Sequence, residues 1–435
     1  MLNPLQIQAN EKMKERTIYI NPSHGNEPYI LGGLIAKKVS EGLKKKLGGK
    51  SKIIVPHIYG SRQERILSEV GLRGIVHLDP ELGKMYEPLL FRNNDFSQHL
   101  TDLIDYQEEV QRKIREHLKK EYGDIFFELN IGSKISTGAL TYYAFPVIIS
   151  ELLERTLQEP ELVRNFSQSK LEQALEIMQE VESGIQTFFI PDYHTFSYDR
   201  NRKPKQNEIS TPPLKSKPKE NKDDIPRMST YFMISGTGSE LEYTLKEAEN
   251  LQEHGFHIIV PPWTETDKFE KRSPDVISNF NIVRVDSRAG WGTIWTCQLC
   301  EKQFVPLPYN SGDDPEIYFN VKTLYSVNQY MATEIQEKKF GTLDGLSFVA
   351  DQILSDLGVS SLDAKSRNQD SKKLLVTFAV EVRNRMGFQK VGITYVSTKA
   401  NTVEEARGSA RKEIGEWDWG HEYSLSKEPM DIQPL

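Results

Sequence analysis

The sequence predicts an α/β protein in which two parallel-sheet domains face one another across a cleft, with a small α+β appendage at the C-terminus. Three observations lead to this architecture. A strand, a glycine-bearing turn, an amphipathic helix and a second strand follow one another from residue 16. The same plan recurs from residue 229. Between the two lies a stretch, residues 197–228, rich in Pro, Lys, Asn and Ser and poor in large aliphatics. With 435 residues the chain is also too long for one ordinary core.

The elements justify this in order. Residues 1–15 form a polar N-terminal tail, and the first domain spans 16–196. It opens on "TIYIN", an apolar strand, and continues into a helix whose apolar residues Ile30, Leu34, Ile35, Val39 and Leu43 recur at helical spacing. "SKIIVPHI" and "DIFFELNIG" read as further strands, and amphipathic helices are expected around 102–121 and 168–183. "FPVIISELL" fits a strand or a buried helix equally well. Residues 197–228 are expected to be a flexible linker, since their composition cannot bury enough surface to offset ordering entropy.

The second domain is expected over 229–370. "STYFMIS" is its first strand, "GTGSE" the turn, and "LEYTLKEAENLQEHG" a helix stopped by Gly255. "FHIIVPP", "FNIVRVDS" and "QFVPLPY" follow as strands. Both halves are therefore Rossmann-like. Residues 371–435 read as a β-β-α appendage, with Thr402 and Glu405 in a capping-box pattern ahead of the helix.

Composition excludes several classes. A net charge of −7 gives no reason to expect nucleic acid as a partner. No run approaches the roughly 18 apolar residues of a membrane-spanning helix, and the polar start "MLNPLQIQANEKMKER" lacks the core of a secretory signal. A cytoplasmic location is the expectation. The lysine-bearing helix over 30–46 is a candidate for peripheral contact with an anionic membrane, although a solvated face is the commoner meaning of such lysines. The only cysteines, Cys297 and Cys300, form one CxxC with no second ligand pair nearby, so they are read as small apolar packing residues.

The chemistry is expected at the glycine-rich turns. In an open parallel sheet, ligands bind beyond the carboxyl ends of the strands, where the next helix offers unpaired N–H groups and partial positive charge to an anion. Gly236, Thr237, Gly238 and Ser239 occupy such a place after "YFMIS". Gly290, Gly292 and Thr293 occupy a second, with Arg288 upstream as a charge partner. Neither turn is a P-loop or a complete G-x-G-x-x-G; a plain tight turn explains either one alone, whereas two together suggest a diphosphate held between helix N-termini. Trp291 and Trp295, four residues apart, share one side of the helix that starts there. The run Asp313-Asp314-Pro315-Glu316 invites a metal, but acidic residues and proline are also favoured in a first helical turn.

The stretch "SRAGWGTIW…FVPLPYNSGDDPEIYFN" resembles the donor-binding signature of GT-B glycosyltransferases, both the UDP-sugar-dependent glucosyltransferases and the peptidoglycan N-acetylglucosaminyltransferase. In that likeness Gly290 and Trp291 match outright, Arg288 takes the position of a family histidine, and Gly292 and Thr293 take the small phosphate-facing positions. Asp314 and Glu316 fall at the acidic positions that hold sugar hydroxyls, and Asn320 matches the family asparagine. Thr296 stands where the family has its ribose-gripping glutamate, and Ile317 where it has a glutamine. The resemblance covers about 35 residues. It implies a nucleotide-sugar donor, with UDP as the family default, inverting transfer to an acceptor hydroxyl, and no metal or other cofactor. It also implies a histidine base on the loop after the first strand. His24 in "NPSHGNEP" is that candidate, because imidazole titrates near neutrality, and Glu27 is the substitute. A bland alternative is that His24 caps the next helix. Two other readings share the architecture: a nucleotide-sugar 2-epimerase, and a non-catalytic nucleotide-sugar-binding or regulatory protein.

Overall fold

The computed structural model describes residues 15–91, 95–233, 239–262, 264, 266–309, 311–326, 329–359, 374–384, 390–400, 407, 421–425 and 431–434. The first sheet contains β1 (Arg16–Pro22), β2 (Ser51–Pro56), β3 (Val76–Asp79), β4 (Ile125–Ile131), β5 (Thr141–Ala144), β6 (Ile185–Pro191) and β7 (Glu208–Thr211). All pair in parallel, in the order β3-β2-β1-β4-β5-β6-β7. A parallel sheet is covered on both faces, which is why β1 is buried along its whole length and its centre, Ile18–Ile20, is an unbroken apolar run rather than an alternation. The chain runs outward from β1 to β3 and then returns to the other side of β1 as β4. The order therefore reverses between β1 and β4, and a crevice opens there at the strands' carboxyl ends.

The second sheet repeats the plan with β8 (Ser229–Met233), β9 (His257–Val260), β10 (Glu270–Lys271), β11 (Ile282–Ser287) and β12 (Gln303–Pro306), all parallel in the order β10-β9-β8-β11-β12. Its reversal falls between β8 and β11. The helix Trp291–Leu299 leaves the carboxyl end of β11. In the ambiguous stretch "FPVIISELL", residues 145–148 form a turn and the helix Ile149–Gln158 follows.

Residues 197–228 correct the linker expectation. They contain β7, an edge strand of the first sheet, and they are tied down by polar partners as well as by the burial of Leu214 and Ile225. Arg202 makes paired hydrogen bonds to both Glu151 and Glu208. The Asn279 amide donates to the carbonyls of Asn221 and Asp223. Main-chain pairing and buried ion pairs supply what composition alone suggested was missing.

The span 229–370 is corrected as well. The helix Gly345–Asp356 packs on the first-domain helix Asn26–Leu47, where the absent side chain of Gly42 leaves room for Leu354. Lys38 Nζ donates to Ser347 Oγ at 2.8 Å, and the Tyr142 hydroxyl donates to Asp356 at 2.6 Å. By contacts the chain forms two compact units, residues 1–323 with 344–359, and residues 324–343 with 360–435. The second unit contains the helix Gln329–Phe340 and an antiparallel sheet centred on β13 (Leu374–Asn384). β14 (Lys390–Ala400) pairs with one edge of β13, and β15 (His421–Leu425) and β16 (Asp431–Pro434) share the other. Of the helix expected after β14, only Arg407 is described, and it is helical; Thr402 and Glu405 lie outside the described residues.

Candidate functional site

The first switch point is built by the loops after β1 and β4. Ser23 closes the β1 loop by donating its amide to the Ile131 carbonyl at 2.9 Å. Gly25 follows at φ +91°, a conformation that glycine adopts freely, and its amide donates to the Tyr59 hydroxyl at 2.6 Å. Gly25 itself is the N-cap of the helix Asn26–Leu47, which has no side-chain cap, so His24 does not cap it. The His24 ring lies instead against Phe91, 4.9 Å between centroids, and 6.0 Å from the ring of His99 on the helix Phe96–Tyr122. Its Nδ1 is buried with no hydrogen-bond partner. Burial, then the charges of Lys134 and Arg288, hold this imidazole well below its ordinary pKa. It is a neutral base at physiological pH.

The β4 loop is fixed by a buried polar network beneath it. Asn21 on β1 donates to Glu128 at 2.5 Å and to the Ile135 carbonyl at 2.9 Å, while Glu128 also accepts from the amide and hydroxyl of Thr137. The Tyr86 hydroxyl donates to Asn21. Lys134 stands on this loop. Burial lowers its pKa, and Asp314 and Glu316 across the cleft act in the opposite direction.

The second switch point is built by the loop after β11. Gly236, Thr237 and Gly238 lie outside the described residues, and Ser239 opens the helix Ser239–Glu253. The helix Trp291–Leu299 has Gly290 as its N-cap, with extended backbone and open space where a side chain would stand. The amides of Thr293 and Ile294 both return to the Gly290 carbonyl at 3.1 Å, so the Thr293 amide is committed to the helix. Thr296 turns its hydroxyl back onto the Gly292 carbonyl. The Arg288 guanidinium is held by Asp313 through two bonds of 2.7 and 2.5 Å, and the anion it was expected to meet therefore has a resident competitor. Glu27 reaches across to the same place: a Cβ on Gly292 would stand 3.0 Å from its carboxyl carbon. Lys215 bridges the two, donating to Glu27 at 3.2 Å and to the Gly292 carbonyl at 3.0 Å.

Asp314 caps the helix Pro315–Ser326, its carboxylate accepting the Glu316 amide at 2.9 Å. Burial first, and the neighbouring Asp314 second, push the Glu316 carboxyl up to about 8. Asn320 does not line the cleft; it is fully buried and braces the β11 loop by donating to the Ala289 carbonyl at 2.7 Å. Both tryptophans are buried, and Trp291 Nε1 donates to Thr195 Oγ1 of the first domain at 3.2 Å. Cys297 is a buried free thiol whose pKa burial pushes up, in keeping with packing.

One cavity of about 250 Å³ joins the two switch points. His24, Glu27, His99 and Lys134 line it from one side, and Arg288, Gly290, Gly292, Asp314 and Glu316 from the other. Its remaining wall is apolar, with Phe96, Leu100, Leu103, Ile149, Leu152 and Leu153. Sequence reasoning missed His99, Lys134 and Lys215. His99 lies in the first turn of its helix, ahead of the range 102–121 expected for it, and Lys215 in a lysine-rich stretch, so neither carries a local signal. Lys134 follows a strand's carboxyl end, and that position alone could have singled it out. Among the described residues no cluster of His, Cys, Asp and Glu is arranged to hold a metal, and no helix is long and apolar enough to cross a membrane.

No protein-family model matches the chain, and no curated protein matches it by sequence. Solved structures do. A UDP-glucosyltransferase from Polygonum tinctorium, complexed with 3,4-dichloroaniline and capable of glucosylating indoxyl, aligns over 80% of this chain and 100% of its own, at 12% identity and a TM-score of 0.51. UGT89C1 of Arabidopsis thaliana, complexed with UDP-L-rhamnose, covers 80% of this chain and 99% of its own at 11% identity and TM-score 0.48. A UDP-N-acetylglucosamine 2-epimerase covers 79% and 97% at 11% identity and TM-score 0.43. Such identities speak for the fold alone. Two Rossmann-like domains enclosing one cleft, with a C-terminal helix returning to the first domain, make this the GT-B fold.

Proposed function

We propose that the protein is a glycosyltransferase that moves a sugar from a nucleoside diphosphate sugar to an acceptor hydroxyl, with inversion and without a metal. The observation that carries this reading is the convergence of both switch points on one cavity: a neutral, half-buried imidazole on one side and a helix N-terminus with an arginine on the other. His24 takes the proton from the acceptor hydroxyl as its oxygen attacks the anomeric carbon. The bond from that carbon to the phosphate oxygen breaks, and the nucleoside diphosphate leaves with the electron pair. The charge growing on it faces the leading amides of the helix Trp291–Leu299 and Arg288. Asp314 and protonated Glu316 hydrogen-bond the sugar hydroxyls. UDP is the first nucleotide to try, on the strength of the sequence resemblance.

Calorimetric titration with UDP, GDP, dTDP, ADP and CDP, with and without Mg²⁺, tests the donor site. The informative variant is Gly290→Asp. Its side chain enters open space and supplies a favoured N-cap, so folding is unharmed, yet it sets a negative charge where the diphosphate belongs. Metal-independent binding of one nucleotide, weakened about 100-fold or more by Gly290→Asp, is the expected result. His24→Ala should then abolish transfer while leaving nucleotide binding intact. A second reading, a protein that keeps the cleft without the chemistry, draws on Glu27 and Asp313, which already engage the site's cations. Nucleotide binding with no turnover against any acceptor would favour it, and absence of nucleotide binding would overturn both.

A further inference from the structure

Among the described residues two permanent cations line the cavity, Arg288 from the second domain and Lys134 from the first. They are not equally free. Asp313 already holds the Arg288 guanidinium through both of its bonds. The Lys134 ammonium has neither a hydrogen bond nor an ion pair with any described residue. An ammonium brings three donors and no acceptor. This one is half-buried, and taking an unpaired charge out of water costs stability. The fold nevertheless fixes its loop in place. The Lys134 carbonyl accepts from Gln107 at 3.3 Å, the Ile135 carbonyl from Asn21 at 2.9 Å, and the Ser136 carbonyl from Arg115 at 2.8 Å. The Ser136 amide donates to Gln111 at 2.8 Å. The main chain is thus clamped to β1 and to the helix Phe96–Tyr122, while the lysine side chain is left unbonded in the cavity. A partly buried charge without a partner, held on a rigid loop in a cleft, marks a place where a ligand of opposite charge belongs.

The surroundings of the ammonium indicate which part of an occupant it meets. Asp314 and Glu316 act on it from the second domain, and its own charge is the first to act on His24. Arg288 acts on the same three groups from the opposite wall. In the glycosyl-transfer reading His24 faces the attacking hydroxyl, and Asp314 and Glu316 face the sugar. The bond between the sugar and the terminal phosphate lies among those groups, and so does Lys134. We propose that Lys134 binds the terminal phosphate of the nucleoside diphosphate from the first-domain side, opposite Arg288. As the bond from the anomeric carbon to the phosphate oxygen breaks, the electron pair stays on that oxygen, and the ammonium donates hydrogen bonds to the phosphate while keeping its own protons. Arg288 is shared with Asp313, so Lys134 supplies the unshared positive charge that the departing diphosphate otherwise lacks. This role rests on the glycosyl-transfer reading and gives the first domain a part in donor binding.

The test titrates the full chain by calorimetry with UDP and with UMP, which lacks the terminal phosphate. If another nucleoside diphosphate is the one that binds, it and its monophosphate take their place. The wild type is expected to hold the diphosphate at least about ten-fold more tightly. Lys134→Met keeps a long side chain, and the clamp on the loop is made by main-chain groups, so folding is preserved. In this variant diphosphate binding should weaken at least about ten-fold, with the monophosphate unchanged within about two-fold. Lys134→Arg, which keeps the charge, should recover part of the loss. A lysine that merely shaped the loop would weaken both nucleotides alike. Equal affinity for the two nucleotides in the wild type, diphosphate binding unchanged in Lys134→Met, or equal weakening of both would each overturn the proposal; the wild-type comparison decides even if the variant does not fold. Diphosphate held equally by wild type and Lys134→Met leaves the glycosyl-transfer reading standing, whereas a wild type that binds no nucleotide strikes that reading and the proposal together.

Discussion

The two switch points have the same topology and opposite chemistry. Between β1 and β4 the cleft presents uncharged imidazoles, His24 and His99, above an apolar wall. Between β8 and β11 it presents a helix N-terminus, an arginine and carboxyl groups. The same arrangement of strands thus creates a crevice twice, and the loop side chains decide what each crevice can hold. The first offers neutral rings beside hydrocarbon, and the second a helix N-terminus with an arginine and carboxyl groups. Lys134 lines the first side together with Glu27, and it works across the divide: Asp314 and Glu316 favour its charge, while that charge adds to burial in holding both imidazoles neutral.

The sharpest break in this comparison is Arg288→Ala. Asp313 is almost fully buried against that guanidinium, and removing one partner of such a pair leaves an uncompensated charge. A loss of about 3 kcal/mol is expected, the low end of the usual range because Arg288 is partly exposed, and chemical denaturation measures it. No comparable loss should follow from His24→Ala, whose ring makes no ion pair.

Lys134→Met tests the coupling between the two sides. With His24 held below the ordinary imidazole value of 6.5, the acid limb of the transfer rate lies below that pH. Removing the lysine charge raises the His24 pKa, so the limb should move to higher pH; a pH–rate profile that stays put would mean burial and Arg288 set the base without Lys134.

Glu27→Gln sharpens the anion side. Taking the carboxylate from beside Gly292 and releasing Lys215 should tighten nucleotide binding by about five-fold, or ~1 kcal/mol, with little change in stability because the Glu27–Lys215 pair is half exposed. Weaker binding would assign Glu27 a direct role at the donor.

The smallest effect concerns stability and pH. In the unfolded chain His99 binds a proton below about 6.5, whereas in the folded protein it resists protonation to well below that value. The unfolded state therefore takes up more protons, and stability falls as pH drops through that window. His99→Phe removes this liability, so thermal unfolding at pH 5.5 and 7.5 should show the wild type losing more stability than the variant.

Several of these groups were legible in the sequence. His24 was found because it follows a strand at the carboxyl edge of a parallel sheet, and Gly290 and Arg288 because a glycine-rich turn precedes a helix. Glu27 was read as a spare base, and the structure sets it against Gly292. Asn320 was read as a sugar contact, and the structure makes it a brace for the β11 loop. In both cases the residue's neighbourhood in the chain was right and its direction was decided by packing.

Strand, turn and helix follow from short-range periodicity, and so the α/β class and its repetition were determined by the sequence alone. Periodicity reports which face of an element is apolar, over a dozen residues at most. It cannot report which elements converge. Lys215 meets Glu27 across 188 positions of chain, and Tyr142 meets Asp356 across 214. The ordering of residues 197–228, the return of the helix Gly345–Asp356 to the first domain, and the pairing of His24 with His99 all depend on contacts of that kind. Their free energy comes from partners brought together only when both sheets have formed, and only the tertiary structure decided them.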